Sequence, residues 1–490
     1  MSETIKSIGT KTKTTYGNKP NPLGSLPVGR LLLQFSVPAI IQMLVMSIYN
    51  IVDQIFIGQG VGYLGNAATT VTFPIMTISL AFAAMIGSGG AAYAAIKLGQ
   101  KKDEVAEKTL TNLYVLSLIT GVVIMLLGLV FLKPMLRIFG AVDTVMPYAI
   151  DYAFIILLGT PFSVLGIALS NMARSDGAPH LSMYSVLVGA ILNCILDPVY
   201  IFVFHWGVKG AAIATITSQM LTAVILTVYF LKHGKHMKLR AENIRPDFGI
   251  WKQILLLGIS AAITQGSACL MQIIMNNSLV HYGNSDPQVG GDVALSAMGI
   301  VMKIVMILVG FGLGIGLGSQ PIFGFNYGAK KPKRLRECYF LALRSSTVLI
   351  VIGWLFCQLM PFQLLSLFGT ENTGFTNFAV QCLRIFTFFV ILAGFQIVST
   401  QYFQATGQPV KASLLSSLRQ LLLLVPLILI LPLFFGLQGI LYAGPVADVV
   451  SAVIVFCFIR VEMKKIDRLI EAEETEEVLG KNDAANENIG

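Results

Sequence analysis

Apolar runs of about 20 residues recur along the whole chain, each long enough to cross the hydrocarbon core of a bilayer as a helix. Twelve are read: Leu31–Ile57, Thr70–Ile96, Leu110–Leu132, Tyr148–Met172, Leu181–Phe204, Ala211–Leu231, Ile254–Val280, Leu295–Phe325, Leu341–Met360, Phe378–Phe403, Ser413–Phe434 and Gly439–Ile459. Backbone N–H and C=O groups in lipid must be satisfied within the segment, which restricts such runs to helices. Only 12% of residues are charged and 55% are hydrophobic, where a soluble domain carries about 25% charge. The expected fold class is an all-α polytopic membrane protein.

Loop charge sets the expected orientation. Lys97, Lys101, Lys102 and Lys108 follow the second span, Lys232 to Lys252 the sixth, and Lys330 to Arg336 the eighth. The alternate loops Gly58–Thr69, His281–Asp292 and Gly369–Asn377 contain no Lys or Arg. The positive-inside rule then places both termini in the cytoplasm of a cell-membrane protein. The net charge of +9 is spread over these loops, a pattern that calls for no nucleic-acid partner. Residues 1–30 are polar and basic with no apolar signal core, and are expected to be a mobile arm. From Glu471 the sequence turns acidic, so 461–490 is expected to be a cytoplasmic tail that frays after a short helical stub.

The two halves resemble each other at an offset of about 229 residues. Gly99-Gln-Lys-Lys recurs as Gly328-Ala-Lys-Lys, Phe139-Gly140 as Phe368-Gly369, Gly177-Ala-Pro179 as Gly407-Gln-Pro409, and Gly207-Val-Lys-Gly210 as Gly436-Leu-Gln-Gly439. Six spans per repeat make the repeats parallel, with sites for substrate and coupling ion expected near the midplane, within or between the halves. The expected domains are an N-lobe over 31–231, an inter-lobe loop over 232–253 and a C-lobe over 254–460.

Asp53 and Asp197 are lone carboxylates in otherwise apolar runs of the first half. An acid at membrane depth costs roughly 2.5–3.5 kcal/mol on insertion scales, and such residues line ion or substrate paths. Asn50 and Asp53 are three apart, and Asn193 and Asp197 four apart, so each pair shares a helix face. Pro198 frees a backbone carbonyl one turn earlier, and Thr215 adds a hydroxyl in the sixth span. Oxygen-only ligands suit a proton or a hard cation such as Na+. The plainer alternative is an Asp–Asn hydrogen bond that only fixes helix packing. Gln42, Tyr49 and Asn50 are the candidates for lining a substrate cavity. The second half has apolar residues at the corresponding positions, near Met275 and Leu423 to Leu427. It carries Arg419 and Asp448 instead, at depths that permit an ion pair. Lys303, Arg344 and Arg384 lie nearer span ends, where they can snorkel.

Other classes find little support. No Gly-Lys-Ser phosphate loop occurs, and the five histidines are scattered near loops without acidic neighbours, so neither ATP-driven transport nor a metal-dependent membrane enzyme, such as a lipid-modifying one, is favoured. No cofactor is expected beyond H+ or Na+ as coupling ion. The six cysteines suggest neither a metal site nor a disulfide framework. The 19 Met and 30 Phe suit an adaptable apolar pocket but are equally ordinary membrane filler.

Pro38 with Asp53 fifteen residues later, the Gly87–Gly99 stretch, Arg174-Ser-Asp-Gly-Ala-Pro179, Asn193-x-x-x-Asp197-Pro198 and Gly207-x-x-Gly210-Ala-Ala-Ile-Ala-Thr215 together resemble the multidrug and toxic compound extrusion family of secondary transporters. The resemblance runs from about Leu31 to Arg460. It implies twelve helices in two six-helix lobes arranged as a V around a central cavity. It also implies export of cationic amphipathic compounds in exchange for H+ or Na+, by a protein expected to act as a monomer. By motif match, Asp53, Asn193, Asp197 and Thr215 correspond to the family's first-lobe cation site, and Pro38 to the proline where the first helix bends. The acidic ligands that another branch keeps in its second lobe are missing from the seventh and eighth spans. A flippase for an anionic lipid-linked precursor is the main rival, since Lys303, Arg384 or Arg419 facing the cavity would suit it.

Overall fold

The computed structural model describes residues 21–285, 289–366 and 373–487. Twelve long helical elements account for most of them. In order they are α1 (Val28–Val61), α2 (Tyr63–Gly99), α3 (Asp103–Val130), α4 (Met146–Ser175), α5 (Pro179–Val203), α6 (Gly207–Lys232), α7 (Phe248–Asn284), α8 (Gly291–Gly328), α9 (Pro332–Leu359), α10 (Gly374–Phe386 with Val390–Ala405), α11 (Pro409–Phe435) and α12 (Leu437–Glu487). Eleven are each long and apolar enough to cross a membrane, and α10 is a twelfth, bent by 43° at its break. The chain is a multi-pass membrane protein.

The internal repeat is a repeat of turns. Gly177 and Gly407 both have left-handed φ, at +80° and +75°. Each is followed two residues later by a proline that opens a helix, Pro179 for α5 and Pro409 for α11. Glycine accepts the left-handed conformation that ends a helix, and proline fits the first helical turn, where no N–H is required. Gly207 and Gly436 match in the same way, at +54° and +56°. Lys101 and Lys330 occupy left-handed backbone, at φ 59° and 54°, in the two copies of Gly-x-Lys-Lys. The Phe368-Gly369 half of the remaining match lies outside the described residues.

The halves pack closely at the end that carries the basic loops, and α2 keeps contact with α7 well beyond it, where Cys269 lies within hydrogen-bonding reach of Thr77. A Cβ added at Gly318 of α8 would lie 2.6 Å from Ser36 of α1, and one at Gly314 would lie 2.5 Å from Ile40. At Gly310 the nearest atom is Met43 Cβ at 3.9 Å, and at Gly299, on the same stripe, nothing described lies within 4 Å. The two helices thus diverge toward the side with few charges, opening a cleft between α1 and α8. The closed end is reinforced across α2, where a Cβ at Gly89 would sit 1.9 Å from the Ile254 carbonyl oxygen of α7. Beside it, Ser88 Oγ of α2 accepts hydrogen bonds from Gln404 Nε2 of α10 (2.7 Å) and Gln320 Nε2 of α8 (3.0 Å).

Two segments differ from expectation and a third, the inter-lobe loop, is tied down. Residues 1–20 of the arm lie outside the described residues, but 21–30 are held fast. Leu23 is buried, its carbonyl accepts from Asn326 Nδ2 (3.3 Å), and that of Leu26 accepts from Arg334 Nη2 (2.6 Å). The acidic tail is helical through Glu487 instead of fraying, and Asp467 and Glu474 brace it on α9 through Arg336 (3.2 Å) and Lys333 (3.0 Å). The inter-lobe loop is clasped by the first lobe. The buried Asp176 carboxylate accepts the backbone N–H groups of Lys235, His236 and Met237 and the Tyr229 hydroxyl, all at 2.8–2.9 Å.

Candidate functional site

Helix α1 presents two faces to two different surroundings. Successive residues turn by about 100°, so the stripe Ser36, Ile40, Met43 that packs on α8 continues to Asn50, which is exposed on the cleft side. Asp53 turns about 100° away from that stripe and points into the first lobe, toward α5. Its carboxyl is half-buried and lies within hydrogen-bonding reach of Asp197. Asp197 is fully buried, and its Oδ1 accepts from Asn193 Nδ2 at 3.3 Å. Tyr49 sits beside Asp53, and the buried Tyr152 of α4 stands close to both carboxylates.

Local sequence explains how α5 offers these groups. Proline at 198 cannot donate to the helix ladder, and the next residues, Val199–Val203, form a wider π-helical turn. Such turns concentrate at functional sites. Just beyond, a Cβ at Gly60 would meet Ile201 at 2.1 Å, and the Phe56 and Phe202 rings touch edge to face with centroids 6.3 Å apart. Glycine there lets α1 close onto α5 past the acids. The two helices are thereby in contact just past the acids, on the side with few charges, while Asp53 itself stays half-buried.

Asp53 Oδ1, Asp197 Oδ2 and Asn193 Oδ1 are buried and accept no hydrogen bond among the described residues. Buried acceptors without donors suit a proton or a hard monovalent cation and suit no anion. The two carboxylates sit toward one end of their helices. Asp197 is six residues, about 9 Å, from the end of α5, and Asp53 is eight residues, about 12 Å, from the end of α1. Both lie in the half of the protein where the cleft is open.

The remaining sequence candidates are placed apart. Gln42, expected in the substrate cavity, is enclosed instead. Its Oε1 accepts from Arg174 Nη1 (3.2 Å) and Ser182 Oγ (3.3 Å), eleven residues along α1 from Asp53. Pro38 is buried within a continuous α1, beside the contacts of Ser36 and Ile40 with α8. Thr215 is buried on α6, and no hydrogen bond links it to either carboxylate among the described residues. Arg419 and Asp448 are in ion-pair contact, Nε to Oδ1. Lys303, Arg344 and Arg384 are exposed. Lys303 is not at a span end: it lies seven residues before Gly310 and eleven before Gly314, on the stripe of α8 that faces α1, within the open part of the cleft.

Sequence reading passed over Tyr152 and the Ser88–Gln320–Gln404 cluster, and used Arg174 only as part of a motif without a role at the site. Depth alone pointed to Tyr152, since it lies six residues from the start of α4, as Asp197 lies six from the end of α5.

Comparison with known proteins covers most of the chain. The family model described as MatE matches residues 38–199 and again 268–430. The multidrug export protein MepA of Staphylococcus aureus (strain MSSA476) is 27% identical over 431 residues, spanning 87% of this chain and 92% of the relative. Among solved structures, a MATE protein in complex with MaL6 superposes with a TM-score of 0.85 at 24% identity, covering 91% of this chain and 99% of the other. An outward-facing multidrug resistance MATE family transporter of the MOP superfamily superposes with a TM-score of 0.84 at 24% identity, covering 90% and 97%.

Proposed function

We propose a mechanism for a chain that belongs to the MatE family: it is a transporter that expels cationic amphipathic compounds in exchange for H+ or Na+ bound between α1 and α5. The observation that carries this reading is the trio of buried, unpartnered oxygens on Asp53, Asn193 and Asp197. Positive-inside asymmetry puts the closed, Lys-rich end in the cytoplasm, so the cleft opens outward. The cell membrane is then its site of action, with both termini inside.

In this mechanism the ion enters from outside past the half-buried Asp53. Bound as a proton or as Na+, it removes the negative charge of the pair and with it the field that holds a cationic compound in the cleft near Asn50 and Tyr49. Rearrangement of α1 around Pro38, where the ladder lacks one hydrogen bond, carries that change to the contact with α8. Linkage requires reciprocity: an ion that weakens compound binding is weakened by the compound to the same degree.

The test uses inverted vesicles loaded with a single imposed gradient, first of pH and then of sodium, and follows uptake of ethidium. Uptake driven by one of the two is the expected result. Uptake indifferent to both gradients would remove ion exchange from the mechanism.

Lys303 supports a second reading. A fixed cation in the open cleft suits an anionic headgroup, as in a flippase for a lipid-linked precursor. Movement of a fluorescent lipid phosphate across the bilayer, without ethidium transport, would establish that reading over the first.

A further inference from the structure

The second lobe holds one acid at membrane depth that the antiport mechanism leaves unused. Asp448 of α12 is fully buried. Its Oδ1 contacts Arg419 Nε, while its Oδ2 is buried with no partner among the described residues. The backbone around it is fixed: the Asp448 carbonyl accepts from Gln396 Nε2 of α10 and from Ser451 Oγ, both at 3.1 Å. Arg419 enters from α11, on a π-helical segment, Leu418–Leu424. Its side chain keeps 18% exposure, whereas the acid is fully enclosed. Arg419 lies ten residues from the start of α11 and Asp448 eleven from the start of α12, about 15 Å and 17 Å into the two helices. At such depth an acid demands a cation or a proton. The first lobe has two carboxylates and draws that cation from solution; the second has one and carries the cation on its own chain.

We propose that Arg419 is a built-in substitute for the coupling ion, so that exchange of cations with solution is confined to the first lobe, and that Asp448 is a latent site for a small monovalent cation, H+ or Na+, closed by the guanidinium. Removing that charge opens the site. The ligand set left behind is the Asp448 carboxylate, one oxygen of which already points to no donor. The inference rests on the antiport reading of the first lobe for its meaning, but its measurement is separate.

The experiment counts cations bound per chain in the purified full-length protein. One arm measures radioactive Na+ at saturation at alkaline pH, and the other measures proton uptake on acidification without sodium. Arg419→Gln is expected to bind one more cation than the wild type, in the Na+ arm or the proton arm. Arg419→Gln combined with Asp448→Asn is expected to return to the wild-type count, and Arg419→Lys and Asp448→Asn each to keep it. An unchanged count in Arg419→Gln, or a lower count in Asp448→Asn, would overturn the proposal. If Arg419→Gln proves too unstable to count, its melting temperature should rise with added Na+ or with acid, and that of the double variant should not. Indifference of the single variant to both overturns the proposal equally. Asp53→Asn with Asp197→Asn reports on the first lobe independently: if the wild-type count survives it, the antiport reading fails while the increment in Arg419→Gln still stands.

Discussion

The two lobes treat a buried carboxylate in opposite ways. Between α1 and α5, Asp53 and Asp197 face each other with an amide as the nearest neutral partner and three oxygens left without donors. Between α11 and α12, Asp448 is held by Arg419. Both acids lie beside a π-helical turn, Val199–Val203 in one lobe and Leu418–Leu424 in the other. The backbone device is therefore shared and the charge balance is not. An unbalanced pocket changes state when an ion arrives; a balanced one does not. On the proposed mechanism, one duplicated architecture yields one lobe that responds to an ion and one that serves as its frame.

The sharpest way to break this comparison is through stability. Removing one member of a buried ion pair strands the other and costs about 3–5 kcal/mol. Arg419→Met should lower the melting temperature accordingly, and adding Asp448→Leu should recover most of the loss. Asp197→Asn, by contrast, strands no opposite charge and keeps an oxygen that can accept from Asn193, and its melting temperature should match or exceed that of the wild type. A comparable loss in Asp197→Asn would mean that the first-lobe acids are structural after all.

Transport comes next. Coupling free energies between sites run to about 1–3 kcal/mol, or roughly 5–150-fold. Asp53→Asn and Asp197→Asn should each reduce gradient-driven ethidium uptake within that range, while Arg419→Lys leaves it unchanged. Equal losses from changes in either lobe would erase the distinction.

The smallest effect is expected at Lys303. A single charge acting across roughly 10 Å of water contributes about 0.4 kcal/mol. Lys303→Gln should therefore shift the half-saturating concentration of a monovalent cationic dye downward by about twofold, with a larger shift for a divalent dye. No change would place the ammonium outside the substrate path.

The acids were legible in the sequence because a carboxylate in a run of Ile, Leu and Val has no cheap explanation. The repeat was legible because Gly-x-Pro and Gly-x-Lys-Lys specify a turn followed by a helix, and those turns recur in the backbone at 177 and 407 and at 101 and 330. The partners were harder to see. Ser, Gln and Tyr are common in membrane spans, and the bonds that give Ser88, Gln320 and Gln404 their meaning join residues 232 and 316 positions apart. Gln42 looked like a cavity residue because it shares α1 with Asp53, yet eleven residues of helix carry it to Arg174. The break in α10 carries neither proline nor glycine between Phe386 and Val390, so nothing local announced it. The tail was misread from its charge alone, although Glu, Ala and Leu are strong helix formers and two ion pairs brace it on α9.

The glycine seam at the closed end bears on leakage. A barrier of side chains can be breached by a rotamer flip, within picoseconds to nanoseconds; helices shift against each other over microseconds to milliseconds. Where Gly314 and Gly318 meet α1 and Gly89 meets α7, the barrier is largely main chain against main chain. At those contacts no rotamer flip can open a path for a passing water or ion. Any solute crossing it must wait for the slow parting of whole helices, so permeability is tied to turnover of the transporter itself.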